Sequence, residues 1–170
     1  NSIKRRLEKS FNPFSSELKR RKLIKRIDYY LEKFSQNPAK IAELAPYIQI
    51  SDQNVILPKN SEETQATLAG MFFSLNRQQY DEAVFDKEKE HRQIEAVAAF
   101  LSGFHLQMGT GEGKSTTVFP IVALVEALTN EKKSAILATS DESNLGDLEE
   151  NTRKLIMIAS QHSLNLTGIS

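Results

Sequence analysis

The chain contains no cysteine and only three histidines, and its 22 basic side chains are matched by 22 acidic ones. Without cysteine, a disulfide scaffold, a thiolate metal site and cysteine catalysis are all excluded, and redox chemistry says nothing about the compartment. His91, His105 and His162 stand far apart and show no metal-ligand spacing. No apolar run approaches the ~18–20 residues needed to cross a bilayer, and no signal peptide is recognisable. A cytoplasmic location, at most peripheral to a membrane, is therefore expected. The chain opens at Asn1 and closes at Thr167-Gly168-Ile169-Ser170, which reads as a strand end, so a fragment of a longer protein is expected.

The absence of net charge argues against a polyanion partner only as an average. Residues 1–40 carry 12 Lys/Arg against 4 Asp/Glu, whereas residues 41–170 carry 10 against 18. The basic excess coincides with a helical pattern over about residues 15–35. Leu23, Ile24, Ile27, Tyr30, Leu31 and Phe34 form one apolar stripe at the helical period. Asn12-Pro13 breaks the chain ahead of it, and Ser15 or Ser16 is the expected cap. Lys19, Arg20, Arg21, Lys22, Lys25, Arg26 and Lys33 occupy the remaining faces. Such a helix either lies on acidic lipid or an acidic partner, or packs by its stripe and leaves a solvated basic face.

Asn37-Pro38 reads as the start of a short helix that ends before Pro46. Tyr47–Ile50 and Val55–Leu57 flank a polar turn and read as a hairpin. Asn60 or Ser61, followed by Glu62 and Glu63, opens a helix with Leu68, Met71, Phe72 and Leu75 facing inward. The charged stretch from Asp81 to Arg92 leads into a helix bearing Ile94, Val97, Ala98 and Leu101 and ending at Gly103. Beyond it the pattern changes. Phe104–Met108, Ala135–Thr139 and Leu164–Ile169 read as strands, separated by helices to about Thr129 and from about Glu142 to Gln161. Strand and helix in alternation predict a parallel sheet covered by helices. The expected organisation is a mainly α-helical N-terminal region, 1–90, joined to an incomplete RecA-like α/β P-loop domain, 91–170.

Gly109-Thr110-Gly111-Glu112-Gly113-Lys114-Ser115 carries the chemistry. Alternate glycines let successive backbone N–H groups turn inward around phosphate oxygens, and a helix beginning at Lys114 or Ser115 aims its positive end at the same place. Lys114 reaches the β- and γ-phosphates, and the Ser115 hydroxyl suits the Mg²⁺ that bridges them. Glu112 contributes only its backbone N–H. A dinucleotide fingerprint fits poorly, since the glycines run G-x-G-x-G with Lys-Ser behind them. ATP with Mg²⁺ is the expected cofactor. The strict P-loop pattern places glycine at position 108, where this chain has Met108.

That departure is informative. Gln107-Met108-Gly109-Thr110-Gly111-Glu112-Gly113-Lys114-Ser115 resembles motif I of the SecA preprotein-translocase motors, which read Glu-Met-x-Thr-Gly-Glu-Gly-Lys-Thr. Those motors carry a glutamine 21 residues before the P-loop lysine to read adenine, and Gln93 stands at that spacing. Pro120, Ala127-Leu128-Thr129, Ala138-Thr139-Ser140-Asp141 and Leu166-Thr167-Gly168-Ile169 resemble further family segments. The resemblance covers about residues 90–170. Where the family places aromatic or apolar side chains just ahead of the glutamine, this chain has Lys87-Glu88-Lys89-Glu90. Phe85 could stack on adenine only under a different local geometry.

The resemblance implies a DEAD-like ATP-binding segment of a motor that couples ATP hydrolysis to polypeptide translocation. It also implies that the basic N-terminal helix meets acidic lipid or the translocation channel. The acidic motif II of the family lies beyond residue 170; Asp141-Glu142 occupies the motif Ia position and is a poor Walker B acid. Binding without turnover is thus expected of this chain alone, with no residue assigned as catalytic. Two alternatives stand beside the motor: an inactive P-loop scaffold in a larger interaction or effector protein, and a DEAD-type helicase. Nucleic acid is disfavoured, because residues 100–170 hold only Lys114, Lys132, Lys133, Arg153 and Lys154 as cations.

Overall fold

A computed structural model describes residues 12–44, 62–104, 113–129 and 142–166. Among these residues every regular element is a helix. They are α1 (Pro13–Gln36), α2 (Ala39–Glu43), α3 (Glu62–Arg77), α4 (Lys87–Leu101), a π-helical turn (Lys114–Val118), α5 (Phe119–Thr129) and α6 (Glu142–Gln161).

The expected RecA-like α/β domain with a parallel sheet is therefore corrected to an all-helical fold of the described residues. Leu164–Leu166, read above as the start of a strand, forms none. The reason is local. Leu164 is drawn into the end of α6, where its N–H donates to the Ala159 carbonyl (3.0 Å) and Ser163 takes a left-handed φ of 66°. These are the marks of a helix-terminating motif, which a period-two apolar pattern does not disclose. Leu164 and Leu166 are buried as cap and core residues. Ala135–Thr139, the hairpin over 47–57 and residues 105–108 of the first strand lie outside the described residues.

Helix boundaries follow from capping chemistry. Asn12, and neither Ser15 nor Ser16, caps α1: its side-chain oxygen accepts from the N–H groups of Phe14 (3.0 Å) and Ser15 (3.1 Å), with Pro13 at the first helical position. Asp86 caps α4 by accepting from the Lys89 N–H at 3.0 Å. At its other end Gly103 adopts φ 93°, and the Phe104 N–H closes back on the Ala99 carbonyl at 3.0 Å. Only a residue without Cβ takes that backbone conformation freely.

The α1 stripe is spent on the core. Leu23, Ile27, Leu31 and Phe34 are buried, together with Leu68, Met71, Phe72, Leu75, Ile94, Val97 and Leu101 from the expected inward faces. Helix α3 is central, packing on α1, α5 and α6. Arg26 meets Glu63, Tyr30 lies against Gly70, and Ser35 meets Ser74 (3.1 Å), in the same order along α1 and α3, so the two helices are parallel. Gly70 permits a close approach: a Cβ there would lie 2.6 Å from the Tyr30 Cβ and 2.9 Å from the Leu31 backbone nitrogen. One apolar cluster joins residues from Leu23 to Leu166.

Candidate functional site

The site is built where α4 meets the turn that opens α5. Asp86 sets the register of α4, which places Lys89 and Gln93 one turn apart on the same face. Gln93 is buried. Gly113 adopts φ 80° and lies so close to Gln93 that an added Cβ would fall inside contact distance of the Gln93 side-chain nitrogen. The Gly113 carbonyl then accepts from both the Thr117 N–H (2.9 Å) and the Val118 N–H (3.1 Å), which gives the turn its π character. A π turn displaces side chains from their α-helical directions and recurs at functional sites.

Gln93 and Gly113 border a cavity of about 320 Å³, whose lining also includes Tyr80, Phe85, Lys89 and Thr117. The chain thus brings Gln93 and the final glycine of the motif to one place. Lys114 and Ser115 open the π turn through their backbones. Gly109, Thr110, Gly111 and Glu112 lie outside the described residues. Phe85, for which stacking required a different local geometry, lines the same cavity as Gln93.

One wall, at Phe85 and Glu90, is fixed by an ion pair that links three helices. Arg77 donates to Glu90 (2.7 and 2.9 Å) and to Glu32 (3.1 Å), and its guanidinium lies over the Phe85 ring at 5.3 Å. Glu90 is buried, and its hydrogen bonds hold the Arg77 guanidinium pKa above its ordinary range. A second cavity, of about 490 Å³, lies beyond Tyr80 and Phe85 and reaches Ser35, Pro38 and Lys87.

Sequence reasoning missed Tyr80, Lys89 and Thr117 as wall residues. Tyr80 belongs to an irregular segment with no periodicity to place it, and Thr117 needed the π turn. Lys89 was legible in principle, since it lies four residues before Gln93 on a helix.

Among the described residues no group of three or more His, Cys, Asp or Glu side chains could hold a metal ion. A cation here would need ligands that a bound phosphate and water supply, which is the usual manner of Mg²⁺. No described helix is long and apolar enough to cross a membrane. Comparison with protein-family models, curated proteins and solved structures gives no match to this chain.

Proposed function

We propose that this chain is the ATP-binding segment of a SecA-like motor, in which hydrolysis by the larger protein drives polypeptide translocation. The observation that carries the reading is the junction of Gln93 with Gly113 at one cavity, although they belong to different elements. Gln93 reads the adenine edge, with Phe85 and Tyr80 as the aromatic walls. Backbone N–H groups of Gly109, Thr110, Gly111, Glu112 and Gly113 wrap the phosphates. Lys114 meets the β- and γ-phosphates, and Ser115 gives its hydroxyl to the accompanying Mg²⁺, which neutralises phosphate charge when bound. The exposed basic face of α1 is the surface offered to acidic lipid or a translocation channel, peripheral to the membrane.

The test is ADP and ATP binding by the chain and by Lys114→Ala. Loss of a charge-assisted contact should weaken binding at least several-fold, since such a bond contributes about 2 kcal/mol. Equal affinity in the two proteins refutes the reading.

A further inference from the structure

The cavity contains a cation that the motif does not account for. Lys89 is half-buried in its wall, and its Cε lies 3.7 Å from the position a Cβ on Gly113 would take. The neighbouring charge is committed elsewhere. Glu90 is bound by Arg77, and the Asp86 carboxylate accepts from the Lys89 backbone N–H. The Lys89 ammonium has no ion-pair or hydrogen-bond partner among the described residues.

Its position is also unfavourable for folding. Lys89 is the third residue of α4, in the first turn, where unpaired N–H groups make the helix end positive and favour an acid. With Asp86 as the cap, Glu or Gln at position 89 would complete a reciprocal capping box. A lysine here costs helix stability and gains no protein partner in return.

On the nucleotide reading above, we propose that Lys89 is a specificity-determining residue that binds the phosphate side of the ligand, next to Gly113. The site then discriminates a nucleoside diphosphate or triphosphate from a nucleoside through two lysines on two elements, Lys114 from the π turn and Lys89 from α4. The Gln93 amide, one turn farther along α4, remains for the base. Lys89 is the group through which α4 senses whether phosphate is present.

The experiment measures ADP and adenosine binding, with thermal melting of the ligand-free protein, for the 170-residue chain, Lys89→Gln, Lys89→Arg and Lys114→Ala. Lys89→Gln should weaken ADP roughly tenfold and adenosine less than about twofold, and Lys89→Arg should stay within about threefold of the unmodified chain for ADP. Because the glutamine completes the cap, its Tm should hold or rise by about 1–3 °C, so lost affinity cannot be ascribed to a damaged fold. Unchanged ADP affinity in Lys89→Gln, or equal losses for ADP and adenosine, would overturn the proposal. If ADP binding is lost in Lys114→Ala yet unmoved in Lys89→Gln, only the Lys89 role falls. If the unmodified chain binds no ADP, both readings fall.

Discussion

Replacing Gly113 by alanine tests the contact on which the site depends, without any ligand. Two costs arise. The backbone sits at φ 80°, where a Cβ costs about 1–2 kcal/mol. The same Cβ intrudes on the Gln93 side-chain nitrogen. That nitrogen ends a flexible side chain, so Gln93 can turn aside, but it is buried and leaves its own hydrogen bonding behind at about 0.5–1.5 kcal/mol. The sum is about 1.5–3.5 kcal/mol, which for a chain of this size lowers Tm by roughly 3–14 °C. Combining Gly113→Ala with Gln93→Ala separates the terms, because the double variant keeps the backbone strain and loses the collision. A double-mutant cycle from urea unfolding should show a favourable coupling of about 1 kcal/mol. Gly146→Ala is the control, since nothing lies within 4 Å of a Cβ there and α6 should gain up to ~1 kcal/mol from the better helix former. Additivity of the Gly113 and Gln93 substitutions, within about 0.3 kcal/mol, would refute the contact and remove the main support for the nucleotide site.

Two further outcomes follow from charge burial. Arg77→Leu strands the Glu90 carboxylate, whose side chain is only 4% exposed, and should cost about 3–5 kcal/mol in urea unfolding. Adding Glu90→Gln should restore part of it, and a single-variant loss below about 1 kcal/mol would show that the pair is not holding α3 to α4. Burial pushes the Glu126 carboxyl above its ordinary pKa of 4.5, with the charge of Lys19 opposing the shift more weakly. The native state therefore keeps this proton to a higher pH than the unfolded chain, and stability declines as pH rises through the raised value. Glu126→Gln should melt higher than the unmodified chain at pH 7, with the gap closing as pH falls to 4.5; a gap independent of pH would show that charge is not its cause.

Helices were legible in the sequence wherever burial and period agreed. The stripe from Leu23 to Phe34, the inward set Leu68, Met71, Phe72 and Leu75, and the end of α4 at Gly103 all follow from apolar spacing and one terminating glycine. Illegible features were those set by the local chemistry of helix ends. Asn12 caps α1 although two serines stand closer to its apolar stripe, because Pro13 fixes the first helical residue beside it. Leu164 and Leu166 alternate like a strand, yet Ser163 turns left-handed and folds Leu164 back over the end of α6. Alternation over three residues cannot separate a buried cap from a strand, which is why this segment reads as the last strand of the expected sheet.

The site divides along the same line. Gln93 was singled out by its distance in sequence from Lys114, and Gly113 by the glycine pattern; neither observation says that they touch. Contact between them depends on α4 being rotated so that positions 89 and 93 face the π turn, a rotation set by the Asp86 cap at one end and the Arg77–Glu90 pair on the adjoining face. Glu90 and Gln93, three residues apart, cannot both be satisfied unless α4 presents one edge to Arg77 and the next to Gly113. The charged run Lys87-Glu88-Lys89-Glu90, which looked in sequence like a departure from an apolar stacking segment, therefore does positional work. Its buried acid anchors the helix, and Phe85, held under Arg77, supplies the aromatic surface from outside the helix. The same run leaves Lys89 as its one unpaired charge facing the cavity, so anchoring and anion recognition are assigned to adjacent residues of a single turn.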